Sequence, residues 1–168
     1  MKRILLSSAG LLFAATPLMA AGDPLAQLRT RLALQRETIC GWDELFRHGT
    51  ATGEPCGKTK GTVLLADGPM PRLKARMQNL AWKGKTFPGD GTIINRWPVG
   101  IEAVTAQNSM GTSLFDGQPC LVMQYAPDAP VFPGVRDELR EIAPGTWLGR
   151  NYDGSSGAFK GYFLLQAK

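Results

Sequence analysis

Histidine is almost missing from this chain: His48 is the single one in 168 residues. That excludes every site assembled from two or more histidines, including zincin motifs, His-rich zinc centres and haem held by two histidines. Lysine and arginine outnumber acidic residues, yet they form no dense stripe interleaved with aromatics, so the basic excess reads as a solvated surface and not as a nucleic-acid face. Aromatics make up 8%, charged residues 20% and hydrophobic residues 43%, which excludes disordered, collagen-like and coiled-coil classes. Glycine and proline, by contrast, are plentiful, with 20 and 12 residues, and favour many turns over a few long helices.

The first 22 residues read as a secretory leader. Lys2 and Arg3 form a charged start, Ile4 to Leu6 and Leu11 to Ala15 an apolar middle, and Ala20-Ala21-Gly22 a small-residue cleavage site. The apolar part falls short of the roughly 20 residues that a membrane-spanning helix requires. No cysteine stands at the cleavage point, so no lipid anchor is expected there. The expected destination is outside the cytoplasm, in the periplasm. Loss of Lys2 and Arg3 would lower the net charge from +5 to +3, with 17 basic against 14 acidic residues.

Three cysteines in an exported chain suggest one disulfide and one spare thiol. Cys40 and Cys56 enclose a loop rich in Gly, Thr and Pro, and their pairing is expected to stabilise it by about 3 kcal/mol. Cys120 lies in the apolar run Cys120-Leu-Val-Met123 and reads as a buried free thiol.

Asp23 as N-cap and Pro24 at the first helical position open a helix, with apolar residues near helical spacing from Leu25 to Phe46 and a break or kink at Gly41. The pattern then changes to short extended runs: 61–66, 92–97, 101–106, 112–115, 119–125, 147–152 and 159–166, with a short helix over 71–80. Asp116-Gly117 is a hairpin turn, and Asp153 to Gly157 reads as a flexible connection. Short strands at this spacing predict an antiparallel barrel or sandwich. The expected organisation is a leader (1–22), an N-terminal helix with its disulfide loop (23–59) and a barrel domain (60–168). Residues 135–142 fit either a helix, which periodicity favours, or a strand with Arg136, Glu138 and Arg140 on one face.

Local motifs weigh little alone. Gly53-Glu-Pro-Cys-Gly57-Lys58-Thr59 has one residue too few between its glycines for a phosphate-binding loop. His48 has no serine in a G-x-S-x-G turn to serve, which leaves it a surface or capping role. Gly145-Thr-Trp-Leu-Gly149 permits close backbone approach around a large flat indole and reads first as core packing.

Their order says more. Trp82-Lys-Gly-Lys-Thr-Phe87, Asn95-Arg96-Trp97, Leu114-Phe-Asp-Gly-Gln-Pro119, Gln124-Tyr125, Arg136-Asp-Glu-Leu-Arg-Glu141 and Pro144-Gly-Thr-Trp-Leu-Gly-Arg150 follow one another. The set resembles a family of calycin-like, that is lipocalin-like, secreted β-barrels over about residues 60–166. The resemblance implies a mainly β fold, an antiparallel calycin-like barrel, here behind an N-terminal helix. It turns 135–142 into a strand and makes Arg136, Glu138 and Arg140 candidates for a polar set inside the barrel. It implies no reaction.

The leading expectation is a barrel that binds a small apolar or amphipathic ligand. Trp82, Trp97, Tyr125 and Trp147 would form its wall, and Lys85, Arg96, Arg136 and Arg140 would hold a carboxylate or phosphate head, with Glu138 beside them. No catalytic residue, metal, cofactor, nucleic-acid partner or membrane insertion is expected. Two other readings stay open: an isomerase or hydrolase using Glu138 or Asp137 with Tyr125, and an interaction module with an exposed apolar patch and a filled interior.

Overall fold

Alternation governs most of this chain, and the result is a barrel. A computed structural model describes residues 24–168, so the expected leader (1–22) and the N-cap Asp23 lie outside the described residues. The described elements are α1 (Pro24–Leu34), α2 (Ile39–His48), β1 (Gly57–Leu65), α3 (Pro71–Ala81), β2 (Gly84–Phe87), β3 (Thr92–Arg96), β4 (Glu102–Thr112), β5 (Pro119–Gln124), β6 (Arg136–Ala143), β7 (Thr146–Tyr152) and β8 (Phe159–Ala167). Each strand pairs antiparallel with the next, and β8 closes on β1 to give an eight-stranded barrel. Residues 135–142, which periodicity alone favoured as helix, form β6 because β7 pairs along its length and β5 pairs with its first half, Arg136 to Leu139. Pairing on both sides overrides a weak helical pattern.

Successive side chains of a strand point to opposite faces, and here both faces of several strands are covered. Leu121, Met123 and Tyr125, Leu139, and Phe163 and Leu165 pack inside the barrel with Phe87, Ile93 and Trp147. Their neighbours Cys120, Val122, Leu148, Tyr162 and Leu164 face outward and pack under Leu34, Trp42 and Phe46 of the N-terminal helices. Trp42 and Phe46, four apart, lie on one stripe of α2. The break comes earlier than the glycine pattern suggests. Thr38 caps α2 by accepting the Gly41 N–H at 3.2 Å, so the chain breaks at 35–38 and Gly41 sits inside the first turn.

That geometry corrects the expected disulfide. Cys40 and Cys56 are free and exposed. Cys40 lies two residues from Trp42, about 200° round the helix, and therefore faces away from the barrel. The 49–56 segment is held instead by its crossing of the barrel end. Thr50 and Glu141 exchange two backbone hydrogen bonds of 2.9 Å, and the Glu54 carboxylate accepts from Asn108 at 2.7 Å. Burial, aided by the Glu138 charge, pushes the Cys120 thiol up to about 12. Thiol titration at pH 8 is thus expected to count Cys40 and Cys56 in the native protein and Cys120 only after unfolding. A native count of zero, which a Cys40–Cys56 bridge would leave, would contradict this arrangement.

Two other details depart from expectation. β4 is one strand to Thr112, and Ser113–Phe115 leave the sheet because the Glu138 carboxylate accepts from Ser113 Oγ (2.6 Å) and Leu114 N–H (2.7 Å). The 153–157 connection has fixed partners: Asp153 Oδ1 accepts from the backbone and hydroxyl of both Ser155 and Ser156.

Candidate functional site

The two ends of the barrel differ. One end is crossed by the 49–56 segment, where Trp147 donates to Thr52 Oγ1 at 3.4 Å. The other end carries α3, the 3-10 turn at Pro98–Gly100, the 126–135 connection and the 153–158 hairpin. It opens into a cavity of about 630 Å³. Its walls are apolar. Trp82 meets the Phe163 ring edge-on at 5.7 Å, Trp97 stacks on Phe132 at 6.3 Å, and Phe132 meets Tyr125 at 5.4 Å. Trp82 fits because Gly61 has no side chain: a Cβ there would lie 2.5 Å from the indole.

Lys85, Asn95, Tyr125 and Asp137, all buried, form the floor of the cavity, with Asn151 beside them. Lys85 spends its three protons on Asp137 Oδ2 (3.0 Å), Tyr125 Oη (2.6 Å) and Asn95 Oδ1 (3.1 Å). Asn95 Oδ1 also accepts from Trp82 Nε1 at 3.0 Å, and its amide donates to Tyr125 Oη (2.8 Å) and to the Val104 carbonyl (2.9 Å). Val104 is the extra residue of a β4 bulge, held at φ +66°, a conformation that strains a β-branched side chain and turns its carbonyl to the floor. Asn151 donates to Asp137 Oδ1 at 2.7 Å.

This network can be tallied donor by donor. Asn95 is saturated, and so are the protons of Lys85 and Trp82. Tyr125 Oη accepts twice, and its own hydroxyl proton has no acceptor among the described residues. Asp137 keeps lone pairs beyond its two bonds. Those four floor residues therefore offer an incoming group one donor, Tyr125 O–H, and one acceptor, Asp137, with the second amide proton and Oδ1 of Asn151 beside them. Burial opposes the charge on Lys85, but Tyr125 and Asp137 outweigh it and hold its pKa above the ordinary value. Burial raises the Tyr125 pKa against the pull of Lys85. At neutral pH the site thus presents an ammonium and a neutral phenol. Neither an amine nucleophile nor a phenolate base is available.

No family model matches this chain, and no curated protein matches it. A solved structure, of a protein from Thermomonospora curvata, is similar: 17% identical, TM-score 0.61, covering 85% of this chain and 97% of that one. At that identity the likeness shows the fold alone: a closed eight-stranded antiparallel barrel.

Of the residues singled out from the sequence, Trp82, Lys85, Trp97 and Tyr125 meet at this cavity. Trp147 lies at the crossed end instead. Arg96 points outward and donates to the Thr59 carbonyl at 2.9 Å; it neighbours Trp97, and adjacent strand residues cannot share a face. Arg136, Glu138 and Arg140, expected inside, are on the outer face. The parity of β6 is set by Leu139, which is buried in the inner core and carries Asp137 inward with it. Arg136 pairs with Glu138 at 2.9 Å, and Arg140 pairs with Asp116 at 2.7 Å. Asn95 and Asn151 were not anticipated. Alternation from Ile93 through Asn95 to Trp97 is the signal that finds the first of them. His48 sits at the exposed end of α2, paired with Glu44 at 2.7 Å.

Proposed function

We propose that this chain is an exported, calycin-like barrel that holds a small amphipathic ligand non-covalently. The observation that carries the reading is a cavity of about 630 Å³ with aromatic walls and a polar floor holding one unspent donor. Such a volume and lining suit a small ligand. Its apolar body would lie against Trp82, Trp97 and Phe132, and its head would accept from Tyr125 and donate to Asp137. The charge of Lys85 is balanced by Asp137 at 3.0 Å, so the floor suits a neutral hydroxyl or carbonyl better than the carboxylate or phosphate that lysines and arginines alone suggest. Export rests on the leader-like residues 1–22.

The test is displacement of the neutral fluorescent probe N-phenyl-1-naphthylamine by alkanols and by alkanoates of equal length. Probe binding that an alkanol displaces better than the alkanoate supports the reading. Trp97→Ala, which removes half of a stacked pair at the mouth, should weaken probe affinity roughly five- to tenfold with little change in melting temperature. Absence of probe binding, together with a native mass showing no co-purified small molecule, would overturn it.

A further inference from the structure

Helix α3 is amphipathic the wrong way round. Its barrel-facing side carries Ala75 and Asn79, four residues apart. Ala75 is buried, and the Asn79 amide pairs with both backbone groups of Val63, accepting its N–H at 2.6 Å and donating to its carbonyl at 2.9 Å. This pairing fixes the rotation of the helix. Met70, Leu73, Met77 and Leu80 consequently point to solvent, with 69%, 49%, 65% and 74% of their surface exposed. At 100° per residue the helical Leu73, Met77 and Leu80 fall within about 60° of one another, with the N-cap Met70 just before them. An ordinary surface helix buries such a stripe.

Cations flank the stripe on both sides, Arg72 and Arg76 on one and Lys74 on the other, with Lys83 just beyond the helix. The helix contains no acidic residue. Arg72, Lys74 and Lys83 donate only to backbone carbonyls, those of Gln35 and Glu37, of Asp67, and of Asn79. None of the four cations pairs with a carboxylate among the described residues. Three of these charges are positioned by backbone carbonyls without being neutralised. The nearby carboxylates Asp67 and Glu102 are taken by Lys160 (2.9 Å) and Lys58 (3.0 Å). Further apolar tips stand on two other connections at the same open end: Val99, 95% exposed, and Val131, 51% exposed.

We propose that the open end of the barrel docks on an anionic bilayer surface through the outward stripe of α3. An apolar stripe bordered by cations is the chemistry of a helix lying in a bilayer interface, where acyl-depth burial and attraction to anionic headgroups act together. Eleven residues rise about 16 Å, so α3 lies on the membrane and does not cross it. Lys74, Gln78 and Ala81 of the same helix line the cavity. Docking therefore sets the cavity mouth against the lipid, which gives the ligand of the proposed function a route that avoids water. The docking itself stands on the exposed stripe and its charges, independently of that ligand.

The experiment is flotation of the protein with vesicles of phosphatidylcholine alone and with 30% phosphatidylglycerol. Binding to the anionic vesicles only, weakened at least tenfold by 0.5 M salt and again at least tenfold by M77E/L80E, is the expected result. These side chains are exposed, so the double variant should melt as the parent does. Met110→Glu, a change at another exposed apolar residue, near the end of β4 by the crossed end of the barrel, should float normally. No flotation with anionic vesicles, equal flotation with neutral ones, or indifference to M77E/L80E would each overturn the proposal. So would a concentration-dependent dimer lost in M77E/L80E without vesicle binding, which would assign the stripe to a second copy. Probe binding in the cavity is a separate readout, so failure of one proposal leaves the other standing.

Discussion

Arg140→Ala is expected to destabilise the fold by about 3–5 kcal/mol, a loss of the size seen when one partner of a buried ion pair is removed. The guanidinium is buried on the outer face of β6, between the sheet and α2. It clamps Asp116 with two bonds of 2.7 Å and donates to the carbonyls of Phe46 and Pro119, both at 3.0 Å. One side chain thus ties α2, the 113–118 turn and the start of β5 to β6. For a chain of this size the melting temperature should fall by roughly 6–20 °C. Arg140→Lys should fall less, since it keeps the charge but not the planar fork. Affinity of the folded fraction for the naphthylamine probe should not change, because Arg140 faces away from the cavity. A variant with parent-like stability and lost probe binding would contradict this placement.

The same pair predicts a pH dependence. Arg140 holds the Asp116 carboxyl below its ordinary value, against the opposing effect of burial. A carboxyl depressed in the folded state contributes stability that is complete above the unfolded value, near 4, and is lost as pH falls through the folded one. Acid melting curves should therefore converge: the gap between parent and Arg140→Ala narrows as pH drops below about 4.

Residue alternation made the strands legible, and the resemblance supplied the barrel. What alternation alone left open was which face of β6 points inward. Polar residues on one parity and a mixed set on the other ordinarily settle the matter, but here the outer face is covered too, by α2 and the 113–118 turn. Charged residues could therefore be buried on either side. Leu139 was the available signal: it is the one apolar residue in the run Arg136–Glu141, and its parity is that of Asp137. The cysteine pairing failed for a related reason. Loop composition suggested a staple, whereas the helical stripe of Trp42 and Phe46 decides where Cys40 points. For α3, the spacing of Leu73, Met77 and Leu80 gave the helix but not its rotation, which the Asn79 amide sets.

Lys85→Met should be the most damaging change inside the cavity. It leaves Asp137 as a buried carboxylate with only the Asn151 amide beside it, at a cost of about 3–5 kcal/mol. Removing both charges should repair most of the loss, because a neutral pair of similar shape avoids the desolvation that the ion pair suffers. K85M/D137N is therefore expected to be more stable than K85M, with the two substitutions strongly non-additive. The double variant then isolates recognition from folding. Its walls of Trp82, Trp97 and Phe132 are intact, so the naphthylamine probe should still bind. Tyr125 has lost its Lys85 donor and the Asp137 carboxylate is replaced by a neutral amide that donates as well as accepts, so the advantage of alkanols over alkanoates should shrink. A double variant that keeps the full alkanol preference would show that the polar floor holds the barrel together without reading the ligand.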